Sequence, residues 1–154
     1  MNIETTVVDP ATPAVAAMIA AHLLEMQEES PPESVHAIDG AALAGDDVTL
    51  IGAYVGTELA GIGALRIADG IGELKSMRTS ANFLRQGIAA RILSELVDVA
   101  RAEGLDAVSL ETGAGILFAP ARALYRRHGF VECAPFGDYR LDPLSVYMTL
   151  HLTH

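Results

Sequence analysis

The run from Gly72 to Ser94 constrains this chain more than any other stretch. It reads as a strand, Glu73 to Thr79, then a short loop carrying Arg85, Gln86 and Gly87, then a long helix opening on compact residues. A helix start leaves its first N–H groups without intrahelical partners and carries about half a positive charge, so backbone alone can hold a phosphate-like anion. Gly87 and Ala89 leave such an anion room to reach the amides. The helix carries Ile88, Ile92, Leu96, Val97 and Val99 and stops before Gly104, and a second apolar strand follows at Asp106 to Thr112. A strand, helix and strand of this length close as a right-handed crossover, so the two strands are expected to be parallel.

The remaining elements fall into place around that unit. Asn2 to Val8 alternates as a first strand, and Asp9 is expected to cap a helix with Pro10 in its first position. Val15, Met18, Ile19, His22, Leu23 and Met26 recur at helical spacing to about Glu29. His22 on that stripe suits a partly buried histidine better than a ligand. Ser30 to Asp39 is a loop broken by two prolines, and a short helix spans Gly40 to Ala44. Val48 to Val55 and Leu59 to Ala68 form a hairpin about Gly56-Thr57-Glu58, and Asp69-Gly70 turns the chain into Glu73 to Thr79, an antiparallel meander. A helix from Ala119 to His128, a strand at Gly129 to Cys133 and a last alternating strand at Ser145 to Leu152 complete the order. Gly61-Ile62-Gly63 is no dinucleotide fingerprint, because Arg66 stands in place of the third glycine and a strand follows.

Composition excludes several classes. The chain has 154 residues, 51% hydrophobic and 19% charged, which suits one folded domain. A net charge of −10 argues against nucleic acid as a partner. No apolar run approaches the ~18 residues of a membrane span. The N-terminus lacks a basic segment ahead of an apolar one, and Cys133 is the single cysteine, so a cytoplasmic protein is expected. His22, His36, His128, His151 and His154 form no convincing ligand set, so no metal is expected. Lysine and arginine are absent before Arg66, and Arg66, Lys75, Arg78, Arg85 and Arg91 gather around the anion cradle.

Leu84-Arg85-Gln86-Gly87-Ile88-Ala89 resembles the acetyl-CoA loop of the GNAT superfamily of N-acetyltransferases, Arg/Gln-x-x-Gly-x-Gly/Ala, with Leu84 departing at the first position. Ala121 to Phe130 is similar to that family's Ala-x-x-x-Tyr-x-x-x-Gly-Phe ending, with Tyr125 in the tyrosine position. The order of elements resembles the GNAT fold over nearly the whole chain. The resemblance implies an α+β fold: a mixed, mostly antiparallel sheet of about seven strands with a splayed parallel pair, flanked by about four helices. It also implies acetyl-CoA as cosubstrate, a small-molecule amine as acceptor, and dimers as a common state.

Carried over residue by residue, the resemblance places the cofactor arm against the main chain of Met77, Arg78 and Thr79, with the amide near Met77 polarising the thioester carbonyl. It sets the diphosphate on Leu84, Arg85, Gln86, Gly87, Ile88, Ala89 and Ala90. Phe118 stands where many relatives carry a cofactor-contacting asparagine. Tyr125 takes the general-acid position; its other reading is a core aromatic. Glu73 aligns with a strand glutamate used as base; otherwise it is solvated or ion-paired. Glu111 is a second candidate, with pairing to Lys75 as its ordinary explanation. Alternation is expected to set Glu73, Lys75, Met77 and Thr79 on one side of their strand. Polar Lys75, Ser76 and Arg78 inside a central strand suggest a wet cavity and an acceptor bearing a carboxylate, unless acidic side chains pair with them. His36 and the loop at Asp138, Tyr139 and Arg140 could line the acceptor side or be ordinary loop residues. The rival to an enzyme is a non-catalytic acyl-CoA-binding or regulatory module.

Overall fold

The structure, a computed structural model, describes residues 2–29 and 40–153. His36, His154 and the expected 30–39 loop lie outside them. The elements are β1 (Ile3–Val7), α1 (Pro13–Glu29), α2 (Gly40–Leu43), β2 (Val48–Val55), β3 (Glu58–Ala68), β4 (Ile71–Thr79), α3 (Ile88–Ala102), β5 (Ala107–Gly113), α4 (Ala119–Arg127), β6 (Val131–Cys133) and β7 (Ser145–His151). They build one seven-stranded sheet in the order β1-β2-β3-β4-β5-β7-β6, in which β4 and β5 are parallel and every other neighbouring pair is antiparallel. This is the mixed α+β sheet expected, and none of the described helices is long and apolar enough to cross a membrane.

Each face of the sheet has its own apolar layer. Ile88, Ile92, Leu93, Leu96, Val97 and Ala100 repeat every three or four residues along α3 and are buried against Ile51, Leu65, Leu74, Val108 and Leu110. Removing one such side chain, Leu96→Ala for instance, typically costs about 2–5 kcal/mol. On the opposite face, Val15 and Ile19 of α1 with Leu43 of α2 cover Leu50, Leu59, Ile62 and Ala64.

Two expectations are corrected. Helix α1 begins at Pro13, three residues after Pro10. Had Pro10 been the first helical residue, Pro13 would have been asked for an N–H to bond the Asp9 carbonyl, and it has none. Asp9 instead closes a turn: its Oδ1 accepts from the Ala11 amide at 2.8 Å and its carbonyl from the Thr12 amide at 3.0 Å. The second correction concerns β4. Ala64 pairs with Lys75 and Ile62 with Arg78, so β4 spends one extra residue opposite Gly63, and Ser76 sits at φ 54°. This bulge reverses the alternation. Glu73 and Lys75 share the face away from α3, whereas Met77 packs against the α3 layer and Arg78 returns to the α1 side. A Cβ on Gly63 would collide with the Met77 sulfur, so the glycine is what lets Met77 lie there.

Candidate active site

The anion cradle forms as a tight turn ahead of α3. Arg85 lies at φ 61° and Gly87 at φ 85°, the left-handed region, which carries the chain from Leu84 into the first turn of α3. Gly87 caps the helix without any side-chain hydrogen bond, and a Cβ there would meet nothing within 4 Å. The amides of Ile88, Ala89 and Ala90 therefore open toward free space with a helix dipole behind them and no acidic residue in the first turn. Leu84, Arg85 and Gln86 are exposed around the turn. The basic residues expected around the turn are spread along the sheet and mostly ion-paired: Arg66, opposite Glu73 and far from the turn, pairs with Asp47, Lys75 with Glu73, Arg78 with Glu25 and Arg91 with Glu95. Arg85 has no carboxylate partner among the described residues.

Beside the cradle the sheet opens. Strands β4 and β5 share three parallel rungs, Ile71 with Ala107, Gly72 with Val108 and Glu73 with Ser109, and then part. Beyond Glu73, β4 continues on β3 alone and β5 on β7 alone. The bulge at Ser76 and Met77 lies along this gap. Ser76 is buried, and its hydroxyl has no hydrogen-bond partner among the described residues. A buried orphan hydroxyl on a strained residue, beside parted strands, fits a slot built to receive a polar chain. Met77, past the bulge, packs on the α3 side of the sheet. Phe118, the residue before α4, packs over Gly113 at the far end of β5, where a Cβ would strike its ring.

At the vertex stands a buried polar cluster. Lys75 Nζ lies 3.2 Å from Glu73 Oε2, with only 10% and 17% of their side chains exposed. Tyr139, on the β6–β7 loop, donates to the same Glu73 oxygen at 2.5 Å and accepts from Lys75 Nζ at 2.9 Å. Burial, followed by the Glu73 hydrogen bond and charge, holds the Tyr139 phenol far above its usual range. Glu111, on the same face of β5, accepts from Ser145 Oγ at 2.7 Å. Both cations named in the sequence as carboxylate readers, Lys75 and Arg78, thus have acidic partners here, which is their ordinary explanation.

Tyr125 projects from α4 into the α3-side core, 6% exposed, with its ring 5.8 Å from that of Phe130. Burial and then the Glu111 charge push its pKa up to about 12, so its proton is firmly held at neutral pH. His22 sits on α1 near the end of β4. Burial, then the neighbouring Arg78, lowers it to about 4 against a smaller opposing pull from Glu25, so the imidazole is neutral. The structure therefore brings Glu73, Lys75 and Tyr139 together, places Glu111 across the gap, and sets Tyr125 in the core within electrostatic reach of Glu111. Sequence reasoning missed the bulge, because a serine carries no sign of a left-handed conformation. It also left Tyr139 as a loop residue, because 66 positions separate it from Glu73.

Comparison with known proteins agrees with this architecture. Residues 15–130 match the model of the acetyltransferase (GNAT) family. The uncharacterized N-acetyltransferase YedL of Escherichia coli strain K12 is 48% identical over 141 residues, covering 91% of this chain and 89% of YedL. The uncharacterized N-acetyltransferase YsnE of Bacillus subtilis strain 168 is 47% identical over 139 residues, 90% of this chain and 92% of YsnE. The PaiA N-acetyltransferase of Thermoplasma acidophilum, solved in complex with coenzyme A, shares the fold with a TM-score of 0.72 over 99% of this chain and 100% of its own, at 14% identity.

Proposed function

The chain belongs to the GNAT acetyltransferase family, and from that premise we propose that it transfers an acetyl group from acetyl-CoA to the primary amine of a small molecule, by direct attack in a ternary complex. The observation that carries this reading is the parting of β4 and β5 past Glu73 and Ser109, beside a helix start that no side chain caps. The amides of Gly87 to Ala90, with Arg85, hold the diphosphate, flanked by Leu84 and Gln86. The main chain of Met77, Arg78 and Thr79 lines the slot like a missing neighbour strand, and Phe118 sits at its mouth. The Met77 amide donates to the thioester oxygen as it gains charge, a preorganised contact typically worth about 2.7–4 kcal/mol on the barrier.

Glu73 takes a proton from the acceptor ammonium or from the attacking nitrogen. The nitrogen forms its bond to the acetyl carbon, the carbon–sulfur bond breaks, and Tyr125 gives its proton to the departing thiolate. Lys75 and Glu111 lie on the acceptor side of the same face. A small amine is favoured because the cluster at the vertex is largely buried. The chain acts as a single domain, and a lone cysteine fits a cytoplasmic enzyme. Thiol release from acetyl-CoA, measured against a panel of amino acids, polyamines and peptide N-termini, tests the reading. Turnover with at least one amine supports it, and coenzyme A binding without turnover on any of them contradicts it.

A further inference from the structure

We propose that Tyr139 is the positioning residue of the acceptor side, fixing the Glu73 carboxylate at the vertex of the slot from across the gap. The inference rests on the acetyl-transfer reading above. Glu73 and Lys75 belong to β4, whereas Tyr139 belongs to the loop that enters β7, on the other side of the opening. The phenol oxygen bridges the two charges in a fixed direction. It accepts from Lys75 Nζ at 2.9 Å and donates to Glu73 Oε2 at 2.5 Å, while the ammonium also reaches that carboxylate oxygen at 3.2 Å. The same ammonium lies 5.4 Å from the centre of the Tyr139 ring.

The ring is itself held. Phe136 meets it edge-on at 5.1 Å and Tyr147 at a tilt at 5.7 Å. Tyr147, opposite Glu111 on the β5–β7 ladder, donates at 2.6 Å to the carbonyl of Arg140, the residue after Tyr139. The loop is thus fastened to β7 at the point where the phenol leaves it. The phenol hydrogen bond and the Lys75 ion pair, both on the same oxygen and linked by the Lys75–Tyr139 hydrogen bond, leave Glu73 little freedom, and the phenol keeps its proton because burial and Glu73 oppose its ionisation. Tyr139 is therefore a donor to Glu73 throughout the cycle and is distinct from Tyr125, the acid for the thiolate.

Tyr139→Phe keeps the ring and its packing and removes only the hydroxyl. With the best amine from the panel, kcat is expected to fall about tenfold or more, as for the loss of a hydrogen bond to a charged group, with KM for acetyl-CoA unchanged. The decisive comparison is with Glu73→Gln. If Tyr139 acts through Glu73, adding Tyr139→Phe to Glu73→Gln lowers kcat less than about twofold further. Equal factors in both backgrounds, or an unchanged kcat in the single variant, would overturn the proposal. So would a Glu73→Gln enzyme as fast as the wild type, since Glu73 would then have no role to position. Failure of the wild type to turn over any amine is a different result, and it removes the acetyl-transfer reading itself.

Discussion

Glu73 and Ser109 face each other on the last rung that the two parallel strands share. Two residues beyond it stand Lys75, bonded to Tyr139, on one strand and Glu111 on the other, so the vertex of the sheet and the polar cluster coincide. Strand edges inside a protein need partners for their N–H and C=O groups. On the proposed reading the parted edges of β4 and β5 receive the polar arm of coenzyme A, with Glu73 and Lys75 beside its reactive end.

Gly87→Ala should cost stability only modestly, about 1–2 kcal/mol, because the strain of a left-handed residue is its sole penalty and the space beside it is open. Gly87→Trp, under the same strain, should unfold at about the urea concentration of Gly87→Ala yet bind coenzyme A at least tenfold more weakly than Gly87→Ala by calorimetry. Loss of stability with retained affinity would mean that the turn shapes the fold and not a ligand site.

At Gly63 the order of effects is reversed. A methyl group there meets the Met77 sulfur and comes to 2.6 Å from Ile92 Cγ2, so Gly63→Ala must push the Met77 side chain aside and shift Ile92 within the α3 layer. Overpacking of this kind typically costs about 1–3 kcal/mol. The urea midpoint should fall, and turnover should fall with it if the displaced Met77 side chain carries its own amide along. A fully active, fully stable Gly63→Ala enzyme would show that Met77 and Ile92 give way without cost.

Tyr125→Phe should lower kcat by about 10²-fold, within the usual range for a lost general acid, with coenzyme A affinity unchanged. Because the phenol is pushed up to about 12, it stays protonated throughout the working range. The ratio of wild-type to variant kcat should therefore be constant between about pH 6 and pH 9. A variant retaining full kcat assigns Tyr125 to packing alone.

His22 links stability to pH. Its folded pKa of about 4 lies below the ordinary value of 6.5, so the unfolded chain binds more protons between them. Stability should be fully present above about pH 6.5, fall as the pH drops, and reach its floor below about pH 4. The loss attributable to this ring should be on the order of 2 kcal/mol, less than the full shift implies because the ring is only partly sheltered from solvent. Urea midpoints should fall less between pH 7.5, 6 and 5 in His22→Gln than in the wild type; equal falls would remove the histidine as the cause.

Most of the architecture was legible because it is written in local patterns. The apolar, β-branched run from Val48 to Val55, the 3.6-residue stripe from Ile88 to Val97 and the Gly56 and Gly70 turns each name an element, and the length of the crossover makes β4 and β5 parallel. The open turn at Gly87 was legible too, from a glycine placed just before a helix. The start of α1 was missed because two prolines compete for one favourable position. The bulge at Ser76 was invisible because tertiary packing imposes its left-handed backbone, and it took Met77 off the face that alternation assigns. Tyr139 was undervalued because its partners on β4 are brought to it only by the closed sheet.

The central claim is that the amides at the start of α3 and at the β4 bulge together receive coenzyme A. Amide chemical shifts recorded while coenzyme A is titrated into the labelled protein test it most directly. The expected result is saturable shifts largest at Met77 and at Gly87 to Ala90. Saturable shifts centred elsewhere, or no saturable shift at all, would contradict it.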